Sequence, residues 1–209
     1  MRFVALASGR GSNLKALLEA QAHGLLAGAE LVGLVVNRPG CGAIDHATSF
    51  GLPHVLIDHK AYAQRSDFEV DLVQAVNSMK PDALVLAGFM RILTTTFLDA
   101  ISAPIINLHP SLLPAFPGAH AIQDAFDKRV RISGCSTHLV VPEVDAGPLL
   151  MQAVVPLNPM DTADDFAARM HAMEHRLLPA TLAALARGDL RVLAGQIHSA
   201  EGFEPCLLT

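Results

Sequence analysis

The 209-residue sequence predicts an α/β fold: a Rossmann-like, mostly parallel sheet with helices on both faces and an antiparallel edge pair near the C-terminal half. Three observations carry this expectation. Short apolar runs alternate with helix-period windows through the first hundred residues, the signature of repeated βαβ units. From Ile132 two strand-like runs follow each other directly, joined by the turn-rich PEVDAG. A long amphipathic window then closes the pattern.

In chain order, strands are expected near Phe3–Ala7, Leu31–Val36, His54–Ile57, Ala83–Ala87 and Pro104–Leu108. Each is a short apolar, β-branched run bounded by turn residues. Helices are expected near Asn13–Ala22, Ile44–Phe50, Asp67–Met79 and Thr95–Ile101. Ser133–Val141 and Pro148–Pro156 form the antiparallel pair. The closing helix spans Asp161 to Ala186, with Asp161 as cap, a stripe of Phe166, Met170, Met173 and Leu177, Gly188 as stop, and a kink or split at Pro179. The expected organisation is one domain over 1-209, with 1-103 a phosphate-binding half and 104-209 the second half.

Composition narrows the function class. The formal net charge is -5 and no basic block is present, which argues against a nucleic-acid partner. No apolar run approaches the ~20 residues of a membrane span, and Phe3–Ala7 is too short for a signal-peptide core, so a cytoplasmic protein is expected. Three scattered cysteines, Cys41, Cys135 and Cys206, suggest neither a disulfide framework nor a thiolate metal site.

Four stretches carry chemistry. Ser8-Gly9-Arg10-Gly11-Ser12-Asn13 follows a strand and opens a helix; it suits either an anion on the helix amides or a tight turn with a Ser/Asn cap. It matches neither the dinucleotide nor the ATP fingerprint. LAGFMRIL, ending at Leu93, places an apolar loop at a strand's carboxyl end, fit for core packing or for a flat heterocycle. PIINLHPSLLPAFPGAH delivers Asn107 and His109, two apart on a strand and so on one face, to a proline-stiffened loop. An amide and an imidazole so placed suit one carbonyl. His138 alternates with apolar residues, and Asp145 in VPEVDAGP is either a turn former or a partner that stabilises the His109 imidazolium. His171-Ala-Met-Glu174-His175 also spells H-x-x-E-H, a zinc-peptidase pattern, though nothing downstream offers an obvious third ligand in a matching helix.

Taken together, SGRGSN, AGFMRIL, NLHPSLLPAFPGAH and HLVVPEVDAGPLLMQ resemble, in order and spacing, the glycinamide ribonucleotide formyltransferase family of purine biosynthesis, over nearly the whole chain. The resemblance implies transfer of the formyl group of 10-formyltetrahydrofolate, as co-substrate, to the amine of glycinamide ribonucleotide, without a metal. It implies a catalytic set of Asn107, His109 and Asp145. Gly11, Ser12, Asn13, His171 and Glu174 would bind the ribonucleotide. Arg65, Met90, Arg91, Ile92, Leu93, Asn107, Val141, Pro142, Glu143, Val144 and Asp145 would hold the folate, making 104-209 the folate and catalytic half. Small molecules are the expected partners, in a monomer or homodimer. Arg10, His171 and Pro142 depart from residues common in the family. Two other functions fit part of the pattern: a 10-formyltetrahydrofolate hydrolase, for which an N-terminal regulatory domain would be expected and for which this sequence leaves no room before its first strand, and a non-catalytic folate- or sugar-phosphate-binding module.

Overall fold

The computed structural model describes residues 1–207. It divides into two compact units, Met1–Ile106 and the chain from Asn107 onward. The division falls inside one strand.

The first unit contains β1 (Arg2–Ala7), α1 (Ser12–Ala22), β2 (Glu30–Val36), α2 (Gly42–Ser49), β3 (His54–Leu56), α3 (Arg65–Ser78), β4 (Ala83–Leu86) and α4 (Thr95–Ala100). Its strands lie in the order β4-β1-β2-β3 and all pair in parallel. Both β1 and β4 are buried almost throughout, which is why they read as continuous apolar runs rather than alternating ones. Their registers bring the carboxyl ends together: Leu6 lies opposite Leu86, and Ala7 opposite Val36. The loops that leave this edge are tied to each other. Ser8 N–H donates to the Gly88 carbonyl at 3.1 Å, Met90 N–H donates to Ser8 Oγ at 2.9 Å, and Ala43 N–H donates to the Gly9 carbonyl at 3.2 Å.

The second unit is mixed. It takes up the end of β5 (Ile105–His109) and adds α5 (Ala121–Asp127), β6 (Ile132–Leu139), β7 (Leu149–Pro156), α6 (Ala163–Arg187), β8 (Leu190–Leu193), β9 (Gln196–Ser199) and β10 (Cys206–Leu207). The expected antiparallel pair is β6 and β7, and β10 pairs in parallel with β7. β8 and β9 form a separate antiparallel hairpin. α6 lays Phe166, Met170, Met173 and Leu177 against β6 and β7. One polar contact crosses that layer: Thr181 Oγ1 lies 2.9 Å from Thr137 Oγ1 and also donates to the Leu177 carbonyl.

Several expectations are corrected. The cap of α6 is Thr162, not Asp161: Thr162 Oγ1 accepts from Asp165 N–H, and Asp165 returns a bond to Thr162 N–H, a complete capping box. Asp161 instead pairs with Arg169 and accepts from Asn158 N–H. Pro179 neither ends nor splits α6, which runs unbroken to Arg187 and stops at Gly188 in the left-handed region. Burial of Leu177 and Leu178 before Pro179 and of Leu182 and Ala183 after it outweighs one missing backbone bond. β5 extends to His109 rather than Leu108, and β6 ends at Leu139 rather than Val141. α5, β8, β9 and β10 are too short or too polar to stand out in the sequence. Among the described residues no helix is long and apolar enough to cross a membrane.

Candidate active site

In the second unit, β5 carries Asn107 and His109 to the start of a loop held by Ser136. Ser136 Oγ donates to the Ser111 carbonyl at 2.6 Å while accepting from Leu113 N–H at 3.1 Å and from Gln152 Nε2 at 2.9 Å. Asn107 is half-buried and His109 buried. The turn after β6 brings in Asp145, whose backbone has φ 55°, a left-handed conformation that Asp tolerates better than most residues. Two positions later only glycine fits: a Cβ on Gly147 would lie 1.8 Å from the Leu139 carbonyl oxygen. The D-x-G-P spelling thus has a steric cause.

Asp145 is the hub. Its Oδ2 lies 3.4 Å from His109 Nδ1 and accepts from Gly118 N–H at 2.8 Å, and its Oδ1 lies 3.6 Å from His138 Nε2. The neighbouring His138 ring is the strongest influence lowering the Asp145 carboxyl below the usual carboxylate range; the Gly118 N–H and the His109 imidazole act the same way, and burial opposes them. The other nitrogen of His109, Nε2, lies 2.8 Å from the Phe116 carbonyl. A carbonyl only accepts, so Nε2 carries a hydrogen, and Nδ1 faces a carboxylate. His109 therefore points a hydrogen-bearing Nε2 at one acceptor while Nδ1 faces a second.

Asn107 Nδ2 donates to His138 Nε2 at 3.1 Å, and His138 Nδ1 lies 2.9 Å from the Leu139 carbonyl. Asn107, His109 and Asp145, expected together from the resemblance, do converge, and two further groups join them: His138, which the sequence singled out without giving it a role, and the Gly118 N–H, which it did not anticipate. His138 had a signal, its place in an apolar strand run seven residues before Asp145. Gly118 had none, because its contribution is a backbone N–H.

In the same unit Glu174 is buried on α6, and its Oε2 lies 2.9 Å from His171 Nδ1. Among the described residues no group of three or more His, Cys, Asp and Glu side chains is arranged to hold a metal ion. Burial, aided by the Glu174 charge, pushes the Cys135 thiol far up, so it stays protonated.

In the first unit, the N-cap of α1 is Gly11, at φ 78° and without a side-chain cap bond. Neither Ser12 nor Asn13 caps the helix, so the tight-turn alternative with a Ser/Asn cap does not describe this loop. A Cβ on Gly11 would lie 2.6 Å from Ala43 Cα, so the loop is pressed flat against α2. The first-turn amides of α1 are open to an anion. Asn13 Oδ1 is buried without a hydrogen-bond partner.

The Met90–Leu93 loop of the same unit presents Met90 and Ile92, exposed by 75% and 65%, and buries Leu93. Arg91 stacks its guanidinium 5.4 Å from the Phe68 ring centroid. Buried Glu69 fixes the loop's far end, accepting from Thr94 N–H at 3.1 Å and from the Thr94 hydroxyl. It also accepts from Arg65 Nε at 3.1 Å, so Arg65 is aimed by the same carboxylate. Of the remaining expected residues, Val141 is half-buried, and Pro142, Glu143 and Val144 are exposed.

The profile of the Formyl transferase family matches residues 1–182. Phosphoribosylglycinamide formyltransferase of Escherichia coli is 33% identical over 192 residues, covering 92% of this chain and 90% of that protein. The trifunctional purine biosynthetic protein adenosine-3 of Drosophila melanogaster is 38% identical over 190 residues, and this chain spans 14% of its length. Among solved structures, glycinamide ribonucleotide transformylase 1 of Symbiobacterium toebii superposes with a TM-score of 0.90 at 33% identity, over 96% of this chain and 94% of that one. Phosphoribosylglycinamide formyltransferase of Anaplasma phagocytophilum does so with a TM-score of 0.89, also at 33% identity, over 100% and 98%. With its Asn, His and Asp set joined through one hub and its match to the family running over most of its length, this chain belongs to the formyl transferase family.

Proposed function

We propose that this chain is a phosphoribosylglycinamide formyltransferase, moving the formyl group of 10-formyltetrahydrofolate to the primary amine of glycinamide ribonucleotide in purine biosynthesis. The observation that carries it is the half-buried Asn107 amide beside the buried His109–Asp145 pair. An N–H donor at the edge of an ion-paired imidazole is suited to a carbonyl on which negative charge develops.

The folate supplies an electrophilic formyl carbon on N10. Asn107 donates an N–H to the formyl oxygen as the amine adds. His109 is the second donor, exchanging the Phe116 carbonyl for the developing oxyanion through Nε2–H. Asp145 keeps that imidazole charged by accepting at Nδ1, and positions a water that carries the proton lost by the amine to N10 as the C–N10 bond breaks. The amine is itself the nucleophile, so Ser111 and the cysteines need no covalent role.

In the first unit, the Gly11–Asn13 amides are the proposed phosphate holders, and Arg65 with Met90–Leu93 the proposed folate contacts. In the second, Val141–Asp145 with Asn107 meet the folate, and His171 and Glu174 meet the ribonucleotide. These assignments rest on motif position in the family and on the open helix end and ordered loops described above. The reading places the protein in the cytoplasm with small-molecule partners.

The test is a spectrophotometric assay of 10-formyltetrahydrofolate turnover with and without glycinamide ribonucleotide, on wild type and His109→Ala. Turnover that requires the ribonucleotide and collapses in the variant is the expected result. Turnover indifferent to the ribonucleotide would mean a hydrolase, and binding without turnover a ligand-binding module.

A further inference from the structure

One buried titratable group in the cluster has no role in the scheme above: His138, which is 2% exposed. Building on the formyl-transfer reading, we infer that His138 is a positioning residue that fixes the orientation of the Asn107 amide. Nδ1 of His138 lies 2.9 Å from the Leu139 carbonyl oxygen, which has no hydrogen to give, so Nδ1 carries one. Nε2 lies 3.1 Å from Asn107 Nδ2, an amide nitrogen that can only donate, so Nε2 accepts. Both contacts are satisfied by the neutral Nδ1–H tautomer.

The consequence for Asn107 is specific. A carboxamide can rotate by half a turn and exchange its N–H donors for its carbonyl oxygen with little change in shape. With an acceptor pinned at one N–H, the nitrogen stays on the His138 side and its second N–H remains for the formyl oxygen. Turned over, the amide would present Oδ1 to a developing negative charge. Nε2 faces two partners and can serve one: unprotonated it holds the Asn107 N–H at 3.1 Å, whereas protonated it would serve Asp145 Oδ1, at 3.6 Å, and compel the amide to turn.

The strand is built to aim this ring. The β6–β7 register shifts between Thr137, opposite Met151, and His138, opposite Leu149, an irregularity of the kind that re-aims a side chain beside a functional site. His138 is too buried to meet a substrate, so its effect passes through Asn107.

The experiment has two arms on the full chain. In ¹⁵N NMR of the wild-type imidazoles at neutral pH, His138 is expected with Nδ1 protonated and Nε2 bare; a proton on Nε2 overturns the inference. In steady-state kinetics, His138→Leu is expected to lower kcat by up to the ~10²–10³ of a lost oxyanion donor, with KM for both substrates unchanged. His138→Gln, whose Oε1 can accept near the position of Nε2, is expected to recover most of that loss. In an Asn107→Ala background His138→Leu should cost nothing more. A full additional loss there, or no recovery with Gln, overturns the inference. A wild type that transfers no formyl group would defeat the proposed function alone, because the ring's tautomer is read without turnover.

Discussion

The two motifs that anchor this protein are built in opposite ways. The Gly11 loop of the first unit is a backbone device: a left-handed glycine, pressed against Ala43, leaves the first-turn amides of α1 without a side-chain cap. The Asp145 cluster of the second unit is a side-chain device in which one carboxylate gathers His109, His138 and the Gly118 N–H. A backbone site depends on φ and on close approach, and it tolerates changes in neighbouring side chains. A side-chain network depends on each member, because removing one leaves its partners buried and unsatisfied.

This contrast is broken most directly at the hub. Asp145→Asn and Asn107→Ala are each expected to lower kcat by about 10²–10³ with little change in KM, the range for losing one oxyanion donor or its support; full turnover in either variant would remove the cluster from the mechanism. The backbone device should fail differently. Gly11→Ala places a Cβ against Ala43 at a positive φ, a strain of about 1–3 kcal/mol. It should raise KM for the ribonucleotide about tenfold, equivalent to about 1.4 kcal/mol, while kcat at saturation holds. A kcat loss without a KM change would place Gly11 outside phosphate binding.

Smaller effects sharpen the comparison. Ser136→Ala removes the hydroxyl that serves Ser111, Leu113 and Gln152, and should cost about 1–3 kcal/mol of stability by denaturant unfolding. Thr162→Ala removes the α6 cap and should cost about 1 kcal/mol without changing kcat; a kcat effect would tie the helix end to the site.

The pH dependence follows from Asp145. Its carboxyl is lowered in the folded protein, so its ionised, stabilising form persists through the ordinary carboxylate range near about 3.9. The contribution to stability is full above the unfolded value, declines as pH falls below it, and is gone once pH has fallen through the lowered value. Acid unfolding of Asp145→Asn should therefore lack the wild type's loss in that lowest range; identical acid limbs would show that Asp145 carries no such linkage.

Local pattern made most of the fold legible. The parallel strands of the first unit announce themselves as apolar runs because both faces are buried, and α6 announces itself through the Phe166–Leu177 stripe. The choice of Thr162 over Asp161 as cap was not legible, since both can cap and only the partnership of Asp161 with Arg169 decides between them. α5, the β8–β9 hairpin and β10 escaped for a related reason: elements this short draw their stability from what they pack against.

By itself the sequence determined the α/β alternation, the antiparallel change after Ile132, the glycine-opened helix and the spacing of Asn107, His109 and Asp145, because each is set by local periodicity or by a backbone conformation that few residues adopt. Tertiary structure alone decided that Asp145 meets His109, that His138 stands between Asp145 and Asn107, and that the Phe116 carbonyl and Gly118 N–H complete the cluster. These contacts join residues seven to thirty-six positions apart through single hydrogen-bonding atoms, and no periodicity in a chain encodes which distant atoms will share a proton.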